Sequence, residues 1–181
     1  MQVIQHTSTV WTIEDFLSVS ECNDLIALSE SVGYEEAEVS LPSGPTMMKG
    51  LRNNYRLMYT DENLAQRLWK KLKSYVPTAL GDESAVGLNE QFRFYRYENA
   101  QRFKRHIDGR FRRNSQEESR ITFMIYLNDD FTGGETAFDT VTITAKTGTA
   151  LCFIHELKHE GCPVVSGIKY VLRSDVMYQK T

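Results

Sequence analysis

The chain has 181 residues, 41% of them hydrophobic and 25% charged, which fits a single domain able to bury a sizeable core. A formal net charge of -3 excludes the broad basic excess that grips nucleic acid. Cys22, Cys152 and Cys162 are odd in number and lack close metal-ligand spacing; with no basic-then-apolar leader and no long apolar run, they predict a cytoplasmic protein without a membrane span.

In chain order, the first predicted element is a helix within Thr12 to Val32. Thr12 and Asp15 supply a capping-box pattern, and Phe16, Leu17, Leu25, Ile26 and Leu28 supply the apolar face. From Gly33 to Tyr59, Pro42, Gly44, Pro45 and Gly50 predict an irregular excursion with room for a short strand, of the kind that can border a site. A second helix is predicted over Asp61 to Val76, capped by Asp61 and stopped by Pro77, with Leu64, Leu68, Trp69 and Leu72 at helical spacing. Its Lys70, Lys71 and Lys73 read as a solvated face, because no aromatic residues interleave with them.

After Gly87 the texture changes to short strand-like runs: QFRFYRY, RITFMIYL, TVTITA, TALCFI and KYVLRSDVMY. Helices followed by many short strands predict a mainly β, α+β domain, a sandwich or barrel with helices packed on one side. The whole of 1–181 is thus read as one domain, with 1–87 as helical support and irregular segment and 88–179 as the β core.

The chemistry-bearing residues lie in that second half. His106 and Asp108 are two apart, so on a strand they share a face, and His159 offers a third donor from a later strand boundary. Two histidines and a carboxylate on one side of a metal leave the opposite positions open, the facial arrangement of non-haem iron(II) oxygenases. By itself His-x-Asp also reads as a polar surface pair. Lys169, ten residues beyond His159 at the start of KYVLRSDVMY, projects to the same face as Val171 and Arg173, where its ammonium can meet a carboxylate.

The run His159-Glu160-Gly161-Cys162-Pro163-Val164-Val165-Ser166-Gly167-Ile168-Lys169, together with His106-x-Asp108, resembles the carboxy-terminal motif of prolyl 4-hydroxylase-like 2-oxoglutarate oxygenases. The resemblance extends from Asn89 to Tyr178, through Tyr97, Tyr126-Leu127-Asn128 and Gly133-Gly134-Glu135-Thr136. It implies a double-stranded β-helix, or jelly roll. It also implies iron(II) on His106, Asp108 and His159, 2-oxoglutarate anchored by Lys169 and positioned by Tyr126 and Tyr97, and O2 as the oxidant. Where the family often has a glycine in its approach to the first metal histidine, this chain has Ala100, so the local turn is expected to differ slightly.

His155-Glu156-Leu157-Lys158-His159 also spells the zinc-protease signature, but that chemistry needs a helix, and Thr149 to Ile154 reads as a strand. His155 is instead expected in a loop near the site mouth. Arg52, Arg93 and Arg173 are candidates for substrate contact, Arg173 with Asp175 or another buried carboxylate as its alternative partner. The basic stretch Gly109 to Arg113 either recognises acidic groups or faces water. The expected substrate is a peptide or protein residue, or a free amino acid or small metabolite; a non-catalytic jelly-roll binding module is the reading from another class. Oligomeric state is not legible.

Overall fold

The computed structural model describes residues 1–37, 39–41, 44–46 and 52–181, the side chains of 39–41 and 44–46 excepted. Pro42 and Gly50, two of the residues behind the expectation of an irregular segment, lie outside the described residues.

Alternation along Gln91–Tyr97 sets the architecture, because successive strand side chains point to opposite faces. Phe92 and Phe94 enter one apolar core, and Tyr95 and Tyr97 enter another. The neighbouring strands divide in the same way. Phe123 and Ile125 lie on the first side and Tyr126 on the second; Cys152 lies on the first side, Leu151 and Phe153 on the second.

Among the described residues, the sheet so divided has ten strands. Gln2–Thr7, Val10–Glu14, Ala150–Ile154, Glu117–Tyr126, Lys169–Lys180, Gln91–Tyr97, Tyr55–Thr60 and Glu35–Glu36 follow one another across it, all antiparallel. Glu83–Leu88 pairs with the distal half of Lys169–Lys180.

Two helices cover the first face. Helix α1, Val19–Val32, starts at a capping box in which Ser18 accepts from Glu21 N–H and Glu21 accepts from Ser18 N–H. Thr12 is therefore not the cap: Val10–Glu14 is a strand held between two partners, and Val10, Trp11, Thr12 and Ile13 are buried, which suits a β-branched run in a sheet interior. Helix α2, Glu62–Leu72, has Asp61 as its cap and turns Leu64, Ala65, Leu68 and Leu72 inward. It ends at Leu72, short of the expected Val76, as Tyr75 N–H bonds to Leu72 O. The sequence reading also misses the strand Glu83–Leu88.

Against the second face packs a small sheet of Phe103–His106, His159–Gly161, Thr136–Phe138 and Thr142–Ile143, which contributes Phe138 and Ile143 to the second core. The fold is a mainly β jelly roll with helices outside its large sheet. Among the described residues, no helix is long and apolar enough to cross a membrane.

Candidate active site

Antiparallel pairing of Phe103–His106 with His159–Gly161 puts His106 directly opposite His159, with ring centroids 4.3 Å apart. Asp108 follows after the first strand has ended, so the shared side of His106 and Asp108 comes from the chain leaving the sheet at exposed Ile107 rather than from strand alternation. One donor atom from each of His106, Asp108 and His159 lies within 4.8 Å of the others. His106 Nε2 is 3.6 Å from Asp108 Oδ1, and His159 Nε2 is 3.6 Å from Oδ2.

Both imidazoles are oriented from behind. His106 Nδ1 lies 2.7 Å from Lys104 O, and His159 Nδ1 lies 3.0 Å from Leu157 O. A carbonyl only accepts, so each Nδ1 carries a proton and donates it there, and each Nε2 is the nitrogen turned toward Asp108. Phe103 stacks on His106 at 3.5 Å, and Phe153 meets His159 edge-on at 4.6 Å. Burial pushes His159 down to about 4, so it stays a neutral donor at ordinary pH. Burial opposes ionisation of Asp108, but the charge of the adjoining Arg173 guanidinium, foremost among the groups that favour it, keeps the carboxyl well below the usual carboxylate range. Two imidazole nitrogens and one carboxylate, converging from one side, fit iron(II).

The carboxylate is fixed by Arg173, for which pairing with a buried carboxylate is one of the two sequence readings, and by Thr122, which the sequence reading missed. Asp108 Oδ1 accepts from Arg173 at 2.7 Å, and Oδ2 accepts from the Thr122 hydroxyl at 2.6 Å. Thr122 spends its one proton on Asp108, so the 2.9 Å contact to His155 Nδ1 must be donated by the histidine. His155 Nε2 then accepts from Ser119 at 2.8 Å, and Ser119 Oγ accepts from Phe111 N–H. His155 is therefore not at the site mouth: it lies in a turn, almost fully buried behind Asp108, in a defined neutral tautomer. Thr122 shares strand parity with Tyr126, a signal that could have found it; nothing in the sequence pointed to Ser119.

The zinc-protease constellation does not form. Residues 155 and 156 lie in a turn rather than a helix, both His155 nitrogens are engaged, and Glu156 pairs with Arg110. We expect His155→Leu to weaken iron(II) binding about 10- to 100-fold by loosening Thr122, as competition with a fluorescent metal indicator measures. Unchanged affinity in folded protein contradicts a positioning role.

Lys169 opens the last strand, opposite Tyr97, and lines the same cavity as His106, Asp108, Thr136, His159 and Arg173. Its Nζ donates to Gly134 O at 2.6 Å and lies 5.3 and 5.5 Å from the Tyr97 and Tyr126 ring centroids. Gly134 has a φ of 69°, and a Cβ there would press on Lys169 Cδ at 3.2 Å, so glycine leaves room for the lysine. No carboxylate among the described residues pairs with this ammonium, and burial lowers its pKa to about 8. A buried cation without an anion suits a ligand carboxylate. The Tyr126 hydroxyl donates to Thr136 at 2.8 Å. Ala100 adopts a φ of 63°, a left-handed backbone that ordinarily favours glycine.

The three candidate arginines part company. Arg173 meets Asp108 and Asp175, and Arg93 meets Asp175 at 2.8 Å, so both belong to a buried charge network. Arg52 lies over Tyr95 and Phe103, with its guanidinium carbon 4.5 Å from each ring centroid. The basic stretch after Gly109 is neutralised: Arg110 and Arg112 pair with Glu118, and Arg113 with Glu90 and Glu117.

No curated protein matches the chain. Among solved structures, it is similar to the viral collagen prolyl hydroxylase of Paramecium bursaria Chlorella virus-1, solved as a 2OG complex: 20% identity, 95% of this chain and 97% of that one, TM-score 0.68. A Pseudomonas putida prolyl-4-hydroxylase is 16% identical over 97% of this chain and 94% of its own, TM-score 0.66. A Trichoplax adhaerens prolyl hydroxylase, in complex with a hypoxia inducible factor peptide fragment, is 18% identical over 94% and 84%, TM-score 0.71. These likenesses show the shared jelly roll. Residues 92–174 match the family model of the 2OG-Fe(II) oxygenase superfamily, a span that contains the triad and Lys169. The stretch that carries the site thus matches the 2OG-Fe(II) oxygenase superfamily.

Proposed function

We propose that the protein is an iron(II)- and 2-oxoglutarate-dependent hydroxylase of an unactivated C–H bond, prolyl 4-hydroxylase-like, acting as one domain over residues 1–181. The observation that carries this reading is the sharing of one cavity by the three-donor cluster and by buried, anion-free Lys169. In this reading His106, Asp108 and His159 hold the metal. Lys169 takes the distal carboxylate of 2-oxoglutarate, and Tyr97 and Tyr126 wall the path between.

Bound iron(II), with 2-oxoglutarate and O2, supplies the oxidising power that turns C–H into C–OH and releases succinate and CO2. The protein's own residues bind and orient. Thr122 and Arg173 fix Asp108, the aromatic rings of Phe103 and Phe153 hold the imidazoles, and apolar Met124, Phe153 and Val171 keep the cavity wall dry.

Peptide substrates are supported by the likeness to the Trichoplax enzyme, which was solved with a peptide fragment. A free amino acid or other small molecule is supported by Arg52, a buried cation beside the cavity. A pure binding module gives no account of the triad and Lys169. The three free cysteines support a reducing, cytoplasmic setting. The test is succinate release from 2-oxoglutarate by iron-loaded protein, with collagen-like peptides and free amino acids as co-substrates. Iron-dependent succinate is the expected result; none with any of them, and no 2-oxoglutarate binding, contradicts the reading.

A further inference from the structure

Arg52 stands outside the segment that matches the oxygenase family model, yet it is tied to the strand that carries His106. Its backbone bridges Phe103, and next to it Asn53 Oδ1 accepts from Arg102 N–H at 2.8 Å. The Phe103 ring then lies between the Arg52 guanidinium and the His106 imidazole, in contact with both. Arg52 is thus one aromatic ring away from the metal donors. Its side chain is buried, with a residue exposure of 4%. Nε donates to Asn54 Oδ1 at 2.7 Å, but Nη2 is buried with no hydrogen-bond partner, and no carboxylate among the described residues pairs with the guanidinium.

An unmatched buried guanidinium is costly unless an anion meets it. The charges around the cavity sharpen the point. Asp108 and Asp175 are matched by Arg173 and Arg93, and a bound iron(II) offsets the two charges of the 2-oxoglutarate dianion. Lys169 and Arg52 remain as excess positive charge. Burial raises the Tyr95 hydroxyl, but Arg173, Arg52 and Arg93 outweigh it and hold its pKa below the ordinary phenol value, so the field on that wall is positive. With aromatic rings against it, the guanidinium keeps its in-plane N–H groups as the way to meet a ligand, which suits a planar carboxylate.

We infer that Arg52 is a specificity residue that binds a carboxylate of the substrate, so that the hydroxylated molecule is a free carboxylic acid of the amino-acid class rather than an internal residue of a protein chain. The inference rests on the oxygenase reading of the adjoining cavity, whose wall includes the Tyr95 and Phe103 rings that Arg52 packs against.

The test compares free L-amino acids with their matched carboxamides and with a collagen-like peptide, using two readouts. In iron-free protein, NMR follows the Arg52 Nε–H resonance; in anaerobic protein loaded with iron(II) and 2-oxoglutarate, absorbance follows perturbation of the metal-to-ligand charge-transfer band. At least one acid is expected to bind at least about tenfold more tightly than its amide, and the R52Q substitution to erase that preference while R52K keeps part of it. A purely structural Arg52 changes stability in R52Q but leaves wild type without an acid preference. Equal binding of amides or peptide, no binding of any acid, or a preference that survives R52Q overturns the inference. If acids move the Arg52 resonance but no band forms, the oxygenase reading fails and the carboxylate site stands.

Discussion

Turnover of 2-oxoglutarate falls to background in His159→Ala, and metal content measured by mass spectrometry falls with it. His159 is the cleanest of the three donors to remove. It sits in a buried pocket between Phe153, Phe138 and His106, its Nε2 is unprotonated, and among the described residues its only hydrogen bond is to Leu157 O. Deleting it leaves two donors and no facial set. His106→Ala has the same effect on activity. Asp108 is harder to interpret, because its carboxylate also neutralises Arg173; Asp108→Ala leaves a buried cation with Asp175 alone and costs about 3 kcal/mol of stability besides the metal. Asp108→Asn keeps the shape and is the better variant. Normal metal content and turnover in folded His159→Ala removes that residue from the site.

Lys169→Met raises the 2-oxoglutarate KM about a hundredfold or more, because a buried charged partner of the co-substrate is lost. The same change leaves the co-substrate-free protein no less stable, since the wild-type fold buries an ammonium whose only hydrogen bond among the described residues is to Gly134 O. This contrast, weaker binding without weaker folding, separates an anchor from a structural lysine.

The pH dependence follows from the lowered Lys169 pKa of about 8. Binding needs the charged form, so 2-oxoglutarate affinity is fully present below about 8 and falls as pH rises through it, about tenfold per unit. Between about 8 and the ordinary lysine value, the unfolded chain holds the proton that the free fold has lost, so the co-substrate-free fold gains stability as pH rises. Lys169→Met flattens both profiles. A KM that stays constant from pH 7 to 9.5 in wild type contradicts an ammonium anchor.

Much of this was legible in the sequence because strand alternation is rigid. Lys169, Val171 and Arg173 were expected on one face, and all three line the cavity. Local spacing also identified α2, where Asp61 caps a helix with Leu64, Leu68 and Leu72 turned inward. The first helix was misplaced because Thr12 and Asp15 imitate a cap where a strand runs and ends, and pairing of Val10–Glu14 with Gln2–Thr7 on one side and with distant Ala150–Ile154 on the other decides the matter. The surroundings of Asp108 were hidden for the same reason. Ser119, Thr122 and His155 meet through pairing of Glu117–Tyr126 with Ala150–Ile154, and no local pattern encodes a hydrogen-bond chain between strands. His155 misled most, since its spacing to His159 is a known motif but its burial is tertiary.

The central claim is that one cavity holds both the metal and 2-oxoglutarate, and the direct measurement is absorbance of anaerobic protein with iron(II) and 2-oxoglutarate. The account predicts a visible charge-transfer band in wild type, weakened in Lys169→Met and missing in His159→Ala. Its absence from folded, iron-loaded wild-type protein would contradict the account.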